Sequence, residues 1–136
     1  MKYNVLFKNE EWKIYDNQAK YEIDLQERLL DFTVKTIQFL KTIPYQKEFD
    51  VFRYQISKSA SSMGANYEES QASAYREFHN RISICLREAR ETCYWYKLIN
   101  RLKLGNADQR EALLRESDEI KLIFGAIESK TAKVNV

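Results

Sequence analysis

The sequence predicts an all-α fold, an antiparallel up-down four-helix bundle, on three observations. Four stretches carry apolar residues at three- and four-residue spacing, the signature of helices with one buried face. Only three glycines and one proline occur in 136 residues, too few to turn the corners of a sandwich or barrel. Asp24-x-x-Glu27 and Asp108-x-x-Glu111 place capping-box spacings where two of the periodic stretches begin. The length suits one domain with one core. Apolar and charged fractions of 44% and 31% are those of a globular chain, which argues against disorder.

Residues 1–23 carry Trp12, Ile14, Tyr15 and Tyr21 without a sustained helical period, and read as an N-terminal arm whose aromatic side chains dock on the remainder. The bundle is expected over 24–130. A first helix opens at Asp24, with Leu25, Leu29, Phe32, Thr36, Phe39 and Ile43 on one face, and Pro44 ends it. The second carries Phe49, Phe52, Ile56, Ala60, Met63 and Tyr67 in one stripe and runs to about Gln71. Gly64 lies inside it and suggests close approach of a neighbouring backbone. Ser73 is the expected N-cap of a third, long helix that stops at Gly105-Asn106. The fourth opens at Asp108 and presents Leu113, Ile120, Phe124 and Ile127 to the core. Residues 131–136 read as a flexible tail.

The net charge of +2 neither requires nor excludes nucleic acid, because affinity for phosphate follows the clustering of basic side chains. No stretch approaches the roughly 20 apolar residues of a membrane span and no signal-peptide pattern follows Met1, so no membrane is expected as a partner and the expected location is cytoplasmic. Cys85 and Cys93 lie eight apart on the third helix, roughly 12 Å along its axis, too far for a disulfide.

The third helix has three faces. Phe78, Ile82, Cys85, Leu86, Ala89, Cys93 and Tyr96 form the core stripe. A second arc carries Ile84, Trp95, Leu98, Ile99 and Leu102, with Glu88 and Glu91 among them. A lone bundle helix has no use for it, so it reads as an oligomer interface. The third arc, spanning roughly 80°, holds Arg76, Arg87, Arg90, Tyr94, Lys97 and Arg101. One-sign cations with an interleaved Tyr can neutralise phosphates and stack a base, whereas the alternative is a solvated face with local pairs such as Arg87 to Glu91. On the second helix, Gln55, Ser59, Ser62, Asn66 and Glu69 line one side, as either a ligand groove or an interhelical hydrogen-bond seam that fixes register; the seam is preferred because no His, Lys or metal ligand joins them.

Catalytic chemistry finds little support. The lone His79 has no Glu three residues before it, as a di-metal bundle site requires, and His79 and Cys85 point apart on their helix. No phosphate loop, nucleophile elbow or zinc-type Cys spacing occurs, and no metal or cofactor is expected.

Ser62-Met63-Gly64-Ala65-Asn66-Tyr67-Glu68-Glu69, Ser73-Ala74-Tyr75-Arg76-Glu77-Phe78 and Leu86-Arg87-Glu88-Ala89-Arg90-Glu91-Thr92-Cys93-Tyr94-Trp95 occur in order. With the Asp24-Leu25-Gln26-Glu27-Arg28 start and Gln55-Ile56, they resemble the hallmark blocks of a bacterial four-helix-bundle family, the 23S rRNA intervening-sequence proteins. The likeness spans about residues 24–125. Where many members have a Gly after the Glu matching Glu69, this chain has Ser70. The resemblance implies a left-handed bundle assembled as a ring, a homopentamer, and a distant similarity in fold to the accessory protein of diversity-generating retroelements, which associates with nucleic acid. The family name records where the genes lie and is not an activity. Two expectations follow: a non-catalytic homo-oligomeric scaffold that associates with RNA or DNA through the basic stripe, or a scaffold that docks a protein partner with no nucleic-acid role.

Overall fold

The computed structural model describes residues 2–132, and of Tyr75 the backbone alone. Strands β1 (Tyr3–Lys8), β2 (Glu11–Asp16) and β3 (Tyr21–Glu22) precede helices α1 (Leu25–Leu40), α2 (Lys47–Gln71), α3 (Tyr75–Arg101) and α4 (Ala107–Ala132). The first 23 residues therefore correct the all-α expectation. The arm is an antiparallel sheet of order β1-β2-β3, in which Val5 pairs with Ile14 and both are buried. A two-residue turn joins β1 to β2, with Asn9 and Glu10 at φ 53° and 63°, the backbone that matches strand twist. At the next turn the Asp16 carboxylate accepts from Gln18 and Ala19 amides.

The sheet docks at one end and along one flank of the bundle. Trp12 stacks on Phe78 with ring centroids 5.7 Å apart. Tyr3 donates its hydroxyl to Glu119 of α4, and Lys2 pairs with the same carboxylate at 2.8 Å. Tyr3, Val5, Ile14 and Ile23 thereby join the helical core.

Asp24 caps α1 as the spacing requires, its side chain accepting from the Glu27 amide at 3.2 Å. The stripe from Leu25 to Ile43 is buried throughout. In the loop to α2, Arg53 donates to the Ile43 and Pro44 carbonyls at 2.5 and 2.6 Å, and its guanidinium lies 4.5 Å from the centre of the Tyr45 ring. Orphan carbonyls past a helix end thus find a cation.

Three boundary expectations are corrected. The N-cap of α3 is Ala74; the Ser73 hydroxyl instead bonds back to the Glu69 carbonyl at the end of α2. The cap of α4 is Asn106, whose side chain accepts from the Gln109 amide at 3.0 Å, so Asp108 already lies in the first turn. Thr131 is buried in α4, bonded to the Ile127 carbonyl and to His79, so the helix continues through Ala132; residues 133–136 of the expected tail lie outside the described residues. Gly64 is corrected too: a Cβ there would meet only the Leu29 Cβ, at an ordinary 3.9 Å. Ser70 lies within the last turn of α2 and donates to the Tyr67 carbonyl at 2.6 Å.

Helix α3 packs between α2 and α4, and α1 closes the square against the same two helices. Contacts run in opposed directions, Ser59 to Thr92 and Glu69 to Arg81 between α2 and α3, Asn100 to Arg110 and His79 to Thr131 between α3 and α4. At the centre Tyr96 lies between the Phe32 and Phe39 rings, centroids 6.0 and 5.9 Å away.

Candidate nucleic-acid interface

Helix α3 is fixed along its length by its core stripe, buried from Phe78 to Tyr96. That rotation fixes the other two arcs. All six residues of the basic arc, Arg76, Arg87, Arg90, Tyr94, Lys97 and Arg101, are exposed. None of the five cations has a carboxylate within salt-bridge distance among the described residues, and the local pair Arg87 to Glu91 does not form. Glu91 instead accepts from the Trp95 indole at 3.3 Å. From Arg76 to Arg101 the stripe runs about 37 Å at 1.5 Å per residue.

Beside the stripe, a groove of about 800 Å³ opens between α3 and α4. Arg90, Tyr94 and Lys97 form one wall and Lys121, Leu122 and Gly125 the other. Leu86 and Cys93 reach its floor, and Lys2 and Tyr3 of the N-terminal segment close one end. Lys121 holds Asp118 at a long 3.5 Å and Lys2 holds Glu119, so these two cations are partly neutralised while Arg90 and Lys97 are not. Tyr94 is 59% exposed and its ring meets Trp95 edge-on at 5.3 Å. Lys2, Lys121 and Gly125 were not legible as part of a site, because only the docking of α4 and the sheet brings them to α3. The available signal was a glycine in mid-helix at 125.

The second arc is partly satisfied within the chain. The Phe52 ring lies 6.1 Å from Trp95, and both pack on the core, so α2 covers part of what sequence reading assigned to another copy. Ile84, Glu88 and Leu98 are half-buried, Glu91 is exposed and Leu102 is 48% exposed. Ile99 is a correction: at 0% exposure it belongs to the monomer core, because its position turns it under α2. Burial, then the neighbouring Glu91 charge, lifts the Glu88 carboxyl above its usual range. A second apolar stripe was missed, on α1, where Leu30, Val34 and Ile37 are exposed at four- and three-residue spacing.

Of the polar residues on α2, Ser59 is buried and accepts from Thr92 of α3 at 2.8 Å, and Glu69 pairs with Arg81 at 2.6 Å. Asn66 donates to Ser62 within α2, and Gln55 lies half-buried beside them. The nucleophilic side chains are occupied structurally. Cys85 and Cys93 are free, buried thiols, and burial pushes Cys85 up to about 12 and Cys93 upward as well. His79 Nδ1 sits 2.7 Å from the Thr131 hydroxyl. No group of three metal-ligating side chains occurs, and no helix is long and apolar enough to cross a membrane, among the described residues.

A crystal structure at 1.70 Å of a protein of unknown function from the S23 ribosomal protein family of Bacteroides thetaiotaomicron VPI-5482 is similar to this chain. The two share 30% identity and superpose with a TM-score of 0.69, covering 76% of this chain and 97% of that one. No curated protein matches the sequence. The model of the 23S rRNA-intervening sequence protein family matches residues 22–126, from β3 through most of α4. With the hallmark blocks lying on α2 and α3 of a four-helix fold, the chain belongs to the 23S rRNA-intervening sequence protein family.

Proposed function

We propose that this protein is a non-catalytic, homo-oligomeric scaffold that associates with RNA or DNA through the exposed face of α3. One observation carries the reading: five cations and a tyrosine on one helix face, with no carboxylate bound to any of them among the described residues. Unpaired cations on one side of a rigid rod have their charge available for phosphates, and releasing condensed counterions favours the complex. The buried, proton-holding thiols and the His79 to Thr131 bond support a structural role for these groups.

Self-association rests on the half-exposed Trp95, Leu98 and Leu102 of α3 and on the Leu30, Val34 and Ile37 stripe of α1. Two apolar patches on different sides of one protomer suit head-to-tail contacts, which close into a ring when the rotation allows. A homopentamer is the assembly we propose, following the family resemblance.

Filter retention of labelled RNA and DNA at increasing salt tests the nucleic-acid reading. Changing Arg87, Arg90 and Arg101 to Ala removes three cations and lowers the salt slope by about 2 for a single strand. No retention at low salt would remove the reading and leave the second one, a ring that docks a protein partner, for which the exposed α1 stripe is the favouring observation.

A further inference from the structure

We propose that the groove between α3 and α4 is a seat for an unpaired base, so that the protein selects single-stranded over duplex nucleic acid. The inference rests on the proposed nucleic-acid role and assigns it a site and a substrate class.

Gly125 carries the argument. A glycine inside a helix weakens it, and such a residue ordinarily relieves a close approach by a neighbour. Here a Cβ would meet nothing within 4 Å, so no neighbour within the described chain explains it. What Gly125 does is leave the α4 wall bare at the level of Leu86, in the same groove that Arg90, Tyr94 and Lys97 line further along α3. Tyr94 offers an exposed aromatic face, Leu122 an exposed apolar one, and Arg90 and Lys97 bring positive charge with no carboxylate within salt-bridge distance among the described residues. An apolar slot with an aromatic wall and a cationic rim complements a planar base attached to phosphates. A duplex keeps its bases stacked and paired, and presents only its phosphates to such a rim.

Charge also argues against the other occupants. Arg76 and Arg101 continue the basic line beyond both ends of the groove, which suits a polyanion longer than the slot. A second copy presenting its own basic stripe there would meet like charge.

The test uses the full chain, a 12-nucleotide uridine strand, the same strand with an abasic centre, and a duplex of equal length, by fluorescence anisotropy at low salt. Gly125→Leu fills the groove from a helix-compatible position with open space around it, and its melting temperature reports that the fold survives. The expected result is a roughly tenfold loss of single-strand affinity in Gly125→Leu and in Tyr94→Ala, a similar loss for the abasic strand on the unaltered protein, and unchanged duplex affinity. Equal binding of intact and abasic strands, with Gly125→Leu indistinguishable from the unaltered chain, overturns the base seat while leaving the basic stripe standing. Loss of all binding only in Arg90→Ala and Lys97→Ala points the same way. Failure of the unaltered chain to bind any strand overturns both readings, and a change in light-scattering mass in Gly125→Leu with affinities intact assigns the groove to a contact between copies and overturns the seat.

Discussion

Thr36 Oγ1 of α1 and Tyr96 Oη of α3 lie 2.6 Å apart at the centre of the bundle, both fully buried. The bond crosses the diagonal of the four-helix square and satisfies the two hydroxyls from each other. Burial lifts the Tyr96 phenol well above its usual range, so it stays protonated. Tyr96→Phe and Thr36→Val each strand one partner and should cost about 1–2 kcal/mol in urea denaturation. The double variant should cost clearly less than the sum, since neither hydroxyl is then left behind.

The two loops at one end of the bundle each depend on an arginine from the following helix. Buried Arg110 donates to Asn100 at 3.0 Å and to the Leu104 carbonyl at 2.9 Å, as Arg53 does to Ile43 and Pro44. Arg110→Ala should destabilise by about 2–3 kcal/mol, through stranded carbonyl and amide oxygens. Arg110→Lys should recover less than half, because an ammonium cannot span the fork. Thermal melts followed by circular dichroism read both.

Backbone conformation sorts the turn residues into two groups. Gly105, at φ 73°, would place a Cβ 2.7 Å from the Thr42 hydroxyl and 2.9 Å from the Phe39 ring, so Gly105→Ala should cost several kcal/mol at this site, of which about 1–2 is the left-handed backbone. Lys103 occupies the left-handed position after α3, at φ 54°, with the Leu104 amide reaching back to the Ile99 carbonyl at 3.2 Å. Lys103→Gly should therefore stabilise by about 1 kcal/mol. Gly64→Ala and Gly125→Ala, in helices with room, should each gain about 0.5–1 kcal/mol. Chemical denaturation midpoints check all four.

Acid should loosen the sheet before the helices. Bonds from Lys2 and then from Tyr3 hold the Glu119 carboxyl below its usual range. A depressed folded value means that the carboxylate adds stability above its unfolded titration near pH 4.3, and that the contribution fades as pH falls through the lower folded value. Trp12, stacked on Phe78, should change its fluorescence over that window while helical ellipticity holds. Glu119→Gln should show the loosened signal already at neutral pH and little further change on acidification.

Assembly gives the last outcome. Val34→Glu and Leu102→Glu each place a charge on one exposed apolar patch without touching the core. If contacts are head-to-tail, either should lower the light-scattering mass, and their mixture should recover a dimer built from the two intact faces.

The four helices were legible because each carries a long stripe that tertiary packing obeys, from Leu25 to Ile43 and from Phe78 to Tyr96. The Asp24 cap was legible for the same reason, a side chain acting on its own neighbour. The sheet was not, because its turn places Asn9 and Glu10 where Asn-Gly is the usual signal, and because β2 buries only Ile14 and so shows no alternation. The caps of α3 and α4 were each misplaced by one or two residues, since Ser73 and Asp108 are chemically able to cap but Ser73 bonds backward to Glu69 and Asn106 comes first. The basic face could be drawn on a helical wheel. The groove beside it could not, because it exists only where α4 passes α3.

Both extremities of the bundle are plugged. At one, Asn106 donates its amide to Thr42 at 2.9 Å and ties the two inter-helix loops together; at the other, Trp12 lies flat over Phe78. The basic stripe of α3 and the apolar stripes of α1 and α3 run along the flanks between those two closures. Copies joined through the apolar stripes, as proposed, would stand side by side like staves rather than like beads on a string.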